Sequence, residues 1–165
     1  MATGRNTQLT KQVGEYLVAA ELCRRGLIAT TFTGNVPHYD IIASNEKGKH
    51  HSIQVKTINS KGSWQLDLRR FAEIRLEGEK QIIDFPTKSP VPDLVYVFVR
   101  LQEYGTDDFY VIMWDDLQRM IITNHRAYLK KHGGKRPKKF DSFHTAIGSE
   151  KLEEYRDNWD IMNQI

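Results

Sequence analysis

The stretch from His38 to Thr57, HYDIIASNEKGKHHSIQVKT, constrains the fold of this chain more than any other. Its two halves alternate apolar and polar residues with a period of two, which is typical of half-buried β-strands. The polar sequence NEKGK between them contains a glycine and suits a hairpin connection of about five residues. We therefore predict an antiparallel β-hairpin here.

The register of this hairpin decides which side chains meet. If Ser44 faces His50 across the loop, Asp40 lies opposite Gln54, and facing Cβ atoms are about 4.5–5.5 Å apart. Lys56 then projects to the same face as Gln54. One face gathers a carboxylate, a carboxamide and an amine, although a slip of one residue would separate them. The opposite, core-facing side is expected to carry Tyr39, Ile41, Ile53 and Val55.

A helix is predicted before the hairpin, from Thr10 to Arg25, with Gly26 as its C-terminal stop. Glu15 lies off the main apolar stripe of this helix. By residue type alone, Glu15 is either a solvated acid on a helix flank or part of a site. The expected stripe consists of Val13, Tyr16, Leu17 and Ala20, ending at Arg24.

The rest of the chain predicts more strands and helices around the same sheet. Strands are expected at 27–32, 64–68, 94–101 and 109–114, and the apolar run VYVFVRL is typical of a central strand. A helix is expected from Asp115 to near Gly133, whereas residues 69–80 fit either a short helix or irregular structure. The fold class is therefore α/β, with a central mixed β-sheet flanked by helices in a single domain over residues 1–165. An amphipathic C-terminal helix is indicated by Leu152, Tyr155, Trp159 and Met162.

The hairpin motif resembles the signature of the PD-(D/E)XK nucleases. That signature has an Asp on one strand and an acid-x-Lys on the next; here it reads Asp40, then Gln54-Val55-Lys56. Tyr39 stands in the position of the Pro, and Gln54 stands in the position of the acid. Some members of the family, among them an intron-encoded homing endonuclease, also carry Gln at that position. The preceding helix with Glu15 is similar to the opening of Holliday junction resolvase-like members, whose first helix carries a Glu that completes the metal site.

The resemblance covers roughly residues 13–57 and implies a restriction-endonuclease-like core with an α-β-β-β start. It implies Mg²⁺- or Mn²⁺-dependent hydrolysis of DNA phosphodiester bonds. Glu15, Asp40 and Gln54 would hold the metal, and Lys56 would be catalytic beside them. The alternative, favoured by Gln54, is a catalytically inactive module of the same fold that binds nucleic acid or a protein. Cutting both strands of a duplex would suggest a homodimer.

A basic run at residues 126–139, RAYLKKHGGKRPKK, supports a DNA partner because it contains no acid. Its glycines and proline predict a flexible second half, which suits phosphate contacts without base reading. A solvated helix end that complements the helix dipole is the alternative, and it explains only the first two lysines. The residues expected to bind DNA are Lys130, Lys131, Lys135, Arg136, Lys138 and Lys139.

Composition narrows the remaining possibilities. A single cysteine, Cys23, excludes an internal disulfide framework. No apolar run approaches the roughly 20 residues of a membrane span, and the N-terminus has no hydrophobic signal core. We therefore expect a cytoplasmic protein without a membrane partner. Because no cluster with zinc-ligand spacing accompanies them, His38, His50 and His51 are expected to be exposed strand-edge histidines.

Overall fold

The structure, a computed structural model, describes residues 4–34 and 36–164. Its contacts divide the chain into two compact units. The first comprises the residues up to 64, residues 90–114 and the residues from 148 onward; the second comprises residues 65–89 and 115–147. The single domain expected from the sequence stays a prediction. In chain order the elements are α1 (Gly4–Arg24), β1 (Ile28–Thr31), β2 (Ile41–Ser44), β3 (His50–Ile58), β4 (Trp64–Asp67), β5 (Ala72–Glu77), β6 (Lys80–Pro86), β7 (Val95–Arg100), β8 (Asp108–Met113), α2 (Trp114–Lys131) and β9 (His144–Ile147).

The first unit is built on a five-stranded sheet in the order β1-β2-β3-β7-β8. The β3–β7 pair is parallel, and the other neighbouring pairs are antiparallel. The predicted α/β class with a mixed central sheet is therefore confirmed. The first five residues of β7 are apolar or aromatic and buried, as expected for a central strand, and only the last, Arg100, is charged.

The hairpin adopts the predicted register. Ser44 pairs with His50 and Ile41 with Ile53. Ile41, Ala43 and Ile53 are completely buried, so the apolar face points to the core as predicted. Of the other two predicted core-side residues, Val55 is 1% exposed, whereas Tyr39 is only half-buried. The ring of Tyr39 packs edge-on against that of Phe32, with centroids 5.6 Å apart.

Helix α1 begins earlier than predicted and packs through a different stripe. Val13 and Tyr16, predicted to be buried, are exposed, and the buried positions are Gly14, Val18 and Leu22. The reason is a close approach to the sheet at Gly14, where an added Cβ would lie 2.9 Å from Cβ of Thr57. Only glycine allows this contact, and the residues one and two turns later follow it into the core. Because Glu15 is next to Gly14, it lies at the edge of the buried face.

The second unit contains α2 and two small two-stranded sheets, β5–β6 and β4–β9. The β5–β6 hairpin occupies most of residues 69–80, for which the sequence left a helix or irregular structure open. Glu77 pairs with Lys80, so the turn has two residues, and Gly78 takes a φ of 60° that few other residues adopt readily.

The predicted C-terminal helix is wrong. The segment forms three short 3₁₀ turns instead, at Ser149–Lys151, Glu153–Tyr155 and Trp159–Gln164. Asp157 interrupts them with a φ of 50°, and its backbone N–H donates to the carbonyl of Phe109 at 2.9 Å. Leu152, Trp159 and Met162 are nevertheless buried, as the amphipathic pattern predicted. Within the described ranges, neither helix is long and apolar enough to cross a lipid bilayer.

Candidate functional site

Asp40 is fixed by the neighbouring strand β3. Its carboxylate oxygen Oδ2 accepts the backbone N–H of Val55 at 2.8 Å and is also bonded by the Nε2 amide of Gln54. The Asp40 backbone N–H donates to the carbonyl of Ile53 at 2.8 Å. Strand β3 thus holds Asp40 through both its backbone and its side chain. The other oxygen, Oδ1, is left to face α1.

Lys11 on α1 meets that oxygen. Its Nζ lies 3.4 Å from Asp40 Oδ1 and 3.4 Å from Glu15 Oε1, so one ammonium joins a carboxylate of α1 to a carboxylate of the hairpin. The side chains of Glu15 and Asp40 are only 15% and 11% exposed, whereas that of Lys11 is 53% exposed. Lys11 was not among the site residues predicted from the sequence. Its spacing of four residues from Glu15 was the available signal.

The electrostatics of this group show an excess of negative charge. Burial and the charge of Asp40 raise the pKa of Glu15 despite the opposing effect of Lys11. Burial acts to lower the pKa of Lys11, but the carboxylates of Asp40 and Glu15 outweigh it and raise that pKa. Both shifts mean that the site stabilises positive charge and resists further negative charge.

Gln54 lies in β3 and is 6% exposed. Its Nε2 donates to Asp40 and, at 3.4 Å, to the carbonyl of Val55, so its own carbonyl oxygen is the atom that remains for a ligand. Lys56 follows two residues later on β3 and is half-buried. The structure thus brings Asp40 and Gln54 into direct contact and links Glu15 to them through Lys11.

The donor atoms suit a hard divalent ion. Mg²⁺ takes oxygen ligands, commonly one or two carboxylates with water completing the shell, and Glu15 and Asp40 are two carboxylates that share a contact with Lys11. A cation, the ammonium of Lys11, already lies against both carboxylates. Across residues 4–34 and 36–164, no three His, Cys, Asp or Glu side chains form a metal site on their own. The predicted third ligand, Gln54, would contribute a neutral carbonyl oxygen.

A cleft of about 420 Å³ opens onto Lys11 and Glu15. A smaller cavity of about 40 Å³ joins Glu15 and Asp40 beneath Phe32 and Tyr39. The larger cavity of the hairpin, about 760 Å³, lies elsewhere and is not lined by either carboxylate. The residues that line the 420 Å³ cleft are Gln8, Lys11, Gln12, Glu15, Phe32, Thr33 and Gly34.

The three histidines near the hairpin do not join this group. His38 and His50 are exposed, as predicted. The prediction is wrong for His51, which is 5% exposed and pairs with the buried Ala43 of β2. Its Nδ1 is 3.4 Å from the carbonyl of Asp93, and burial lowers its pKa.

The basic run belongs to the second unit, and two of its cations bond to other residues of that unit. Lys135 Nζ is 2.5 Å from Glu79 Oε2, and the guanidinium of Arg136 donates to the carbonyls of Ser142, at 3.2 Å, and His144. The second half, expected to be flexible, is thus held by specific bonds. The exposed cations for which no such bond is seen among the described residues are Arg126, Lys130, Lys131, Lys138 and Lys139.

Gln81 anchors the same loop from β6. Its Nε2 donates to the carbonyls of Phe140 and Ser142 at 2.6 and 2.9 Å, and its Oε1 lies 2.9 Å from Nε2 of His125. Because that oxygen can only accept, Nε2 of His125 carries the proton. Gln81 and His125 are each 3% exposed. Burial, and then the charge of Arg136, lower the pKa of His125 to about 4.

Comparison with known proteins gives a likeness of fold. No protein-family model matches the sequence, and no curated protein sequence is significantly similar to it. Among solved structures, the chain is similar to a bacterial homing endonuclease, I-Ssp6803I, with a TM-score of 0.54 and 15% sequence identity. The match covers 96% of this chain and 93% of that one. At this identity the likeness establishes a nuclease-like α/β fold, shared over nearly the whole length.

Proposed function

We propose that this protein is a divalent-metal-dependent endonuclease of the PD-(D/E)XK type that hydrolyses DNA phosphodiester bonds. The observation that carries the proposal is the convergence of Glu15 and Asp40, from separate elements, on one cation beside Gln54. The likeness to a homing endonuclease supports the same reaction class, although it concerns the fold alone.

Each site residue has its own proposed role. Glu15 and Asp40 would hold Mg²⁺ or Mn²⁺, with the Gln54 carbonyl as a neutral third donor. When bound, the ion neutralises charge on the phosphate and lowers the pKa of a bound water. The Val55 N–H and Gln54 amide keep Oδ2 of Asp40 occupied, which presents Oδ1 to the ion. Lys56 supplies a positive charge that stabilises the negative charge developing on the phosphate.

DNA is the proposed partner, held by the basic run through phosphate contacts. The solvent-facing lysines would provide most of this attraction, because Lys135 and Arg136 already have internal partners. Binding of this kind is independent of sequence and depends strongly on salt. A homodimer that cuts both strands and a cytoplasmic location remain part of the proposal.

Plasmid nicking with Mg²⁺, with and without EDTA, tests the reaction. We expect wild type to nick only with metal, and Asp40→Asn, Glu15→Gln and Lys56→Met to lose about 10²–10³ in rate, as when a charge-stabilising group is removed. Glu21→Gln is the matched control, because Glu21 lies on the same helix and pairs only with Arg24 and Arg25 among the described residues. Equal nicking by wild type and Asp40→Asn would contradict the proposal.

The second candidate is an inactive nuclease-fold module that binds nucleic acid or a protein. The observation that favours it is Gln54, whose amide donates a hydrogen bond to Asp40 where an acid would add a third carboxylate. Binding of labelled duplex measured on the same preparations separates the two candidates. DNA binding without any metal-dependent nicking would establish the module and exclude the enzyme.

A further inference from the structure

Lys11 lies where the charge of a metal ion is needed. Its ammonium is equidistant from Glu15 Oε1 and Asp40 Oδ1 at 3.4 Å. Within the described part of the chain, these are the only ion pairs of the two carboxylates. Since both acids are largely buried, their repulsion is poorly screened by solvent. The metal-free protein therefore depends on Lys11 to keep them together.

The contacts of Lys11 are also weak enough to break. Charge-assisted N–H···O bonds are commonly about 2.7–2.9 Å long, and both contacts here are longer. The side chain is half exposed, so it can turn into solvent along the cleft lined by Gln8 and Gln12. Displacing Lys11 would cost little conformational strain, because its stem is not enclosed.

We propose that Lys11 is a built-in counter-ion that occupies this site in the metal-free protein and is displaced when a divalent ion binds. Oδ2 of Asp40 is already occupied by Val55 and Gln54, so the metal and the ammonium must compete for Oδ1. The inference rests on the proposed function, since it assumes that Glu15 and Asp40 are metal ligands. It adds that Lys11 sets the metal affinity of the site.

Calorimetric titration with Mn²⁺, without DNA, tests this competition. Lys11→Met should bind Mn²⁺ more tightly than wild type, by roughly 5–150-fold, the usual range for two coupled binding events. Its metal-free form should melt at a lower temperature than wild type, and saturating Mn²⁺ should close the gap. Arg24→Met is the matched control, because it removes one cation from the same helix that pairs with Glu21 instead.

The outcomes separate this inference from the proposed function. If Glu15→Gln abolishes Mn²⁺ binding but Lys11→Met binds like wild type or more weakly, the metal site stands and the competition is overturned. Mn²⁺ binding by Lys11→Met alone would support the inference in its strongest form. If neither wild type nor Lys11→Met binds Mn²⁺, the displacement is overturned together with the metal site.

Discussion

Two polar clusters of similar size differ in burial and in how completely their hydrogen bonds are satisfied. In the second unit, Gln81 and His125 are buried and neutral, and every donor of the Gln81 amide meets a carbonyl. In the first unit, the ionisable groups Glu15, Asp40 and Lys11 are joined by contacts of 3.4 Å, and Lys11 and Glu15 line a cleft.

The difference indicates what each cluster is for. A fully satisfied buried network stabilises and fixes a loop, and a partly satisfied one costs stability unless it serves another purpose. The Gln81 cluster ties the loop at residues 134–142 to β6, and His125 joins the same glutamine to α2. The Lys11 cluster brings two carboxylates to one ammonium and shifts the pKa values of Glu15 and Lys11, and shifted pKa values are common at functional sites.

Replacing the glutamine of each cluster by leucine should give the largest contrast. Gln81→Leu leaves the His125 N–H and the carbonyl of Phe140 unsatisfied, at about 1–3 kcal/mol each, so we expect a total loss of about 2–6 kcal/mol. The carbonyl of Ser142 keeps its bond from Arg136. Gln54→Leu should cost about 1–2 kcal/mol, because Val55 still bonds Asp40. Thermal and urea melts measure both. Equal losses would remove the contrast between the clusters.

Acid should destabilise the cluster of Gln81 and His125. The pKa of His125 is about 4 in the folded protein against 6.5 for a free histidine, so the unfolded chain binds the extra proton first. The free energy of unfolding should therefore be highest above about pH 6.5. It should fall by about 3 kcal/mol in all as the pH is lowered to 4. Urea melts across this range should show the decline, and His125→Gln should flatten it. An unchanged slope in the variant would assign the acid sensitivity elsewhere.

Gln54→Glu tests the cluster of the first unit by adding a carboxylate to it. It replaces an amide donor by a second carboxylate facing Asp40, so the metal-free protein should lose about 1 kcal/mol or more through repulsion. Mn²⁺ should bind more tightly than to wild type and restore the melting temperature. Paired melts with and without Mn²⁺ check this, with Gln12→Glu on the exposed side of the cleft as control. No response to Mn²⁺ would place Gln54 outside the metal site.

The smallest effect concerns the basic run. Because Lys135 and Arg136 have internal partners, Lys138→Ala with Lys139→Ala should reduce the log–log salt slope of duplex binding by about 0.9 per lost contact. Lys135→Ala should change the slope less and loosen the loop instead. Filter binding at several salt concentrations measures both. A larger slope change for Lys135→Ala would reverse this assignment.

The parts of the fold that the sequence predicted are those that depend on local pattern. The hairpin register and the Asp40–Gln54 contact followed from strand alternation and loop length within 20 residues. The buried stripe of α1 did not, because it is set by the approach of Gly14 to Thr57, a contact between distant segments. The pairing of Lys11 with Asp40 was invisible for the same reason. The β5–β6 hairpin was missed because its strands carry too many charges to alternate cleanly.

The most direct test of the account is the position of a bound metal. Crystals soaked in Mn²⁺ should give one anomalous peak at ligand distance from Asp40 Oδ1 and Glu15, about 2.0–2.1 Å if the ion coordinates as Mg²⁺ does. Lys11 should have moved away from both carboxylates. A map without a peak between these residues, in which Lys11 still bridges Glu15 and Asp40, would contradict the proposed metal site.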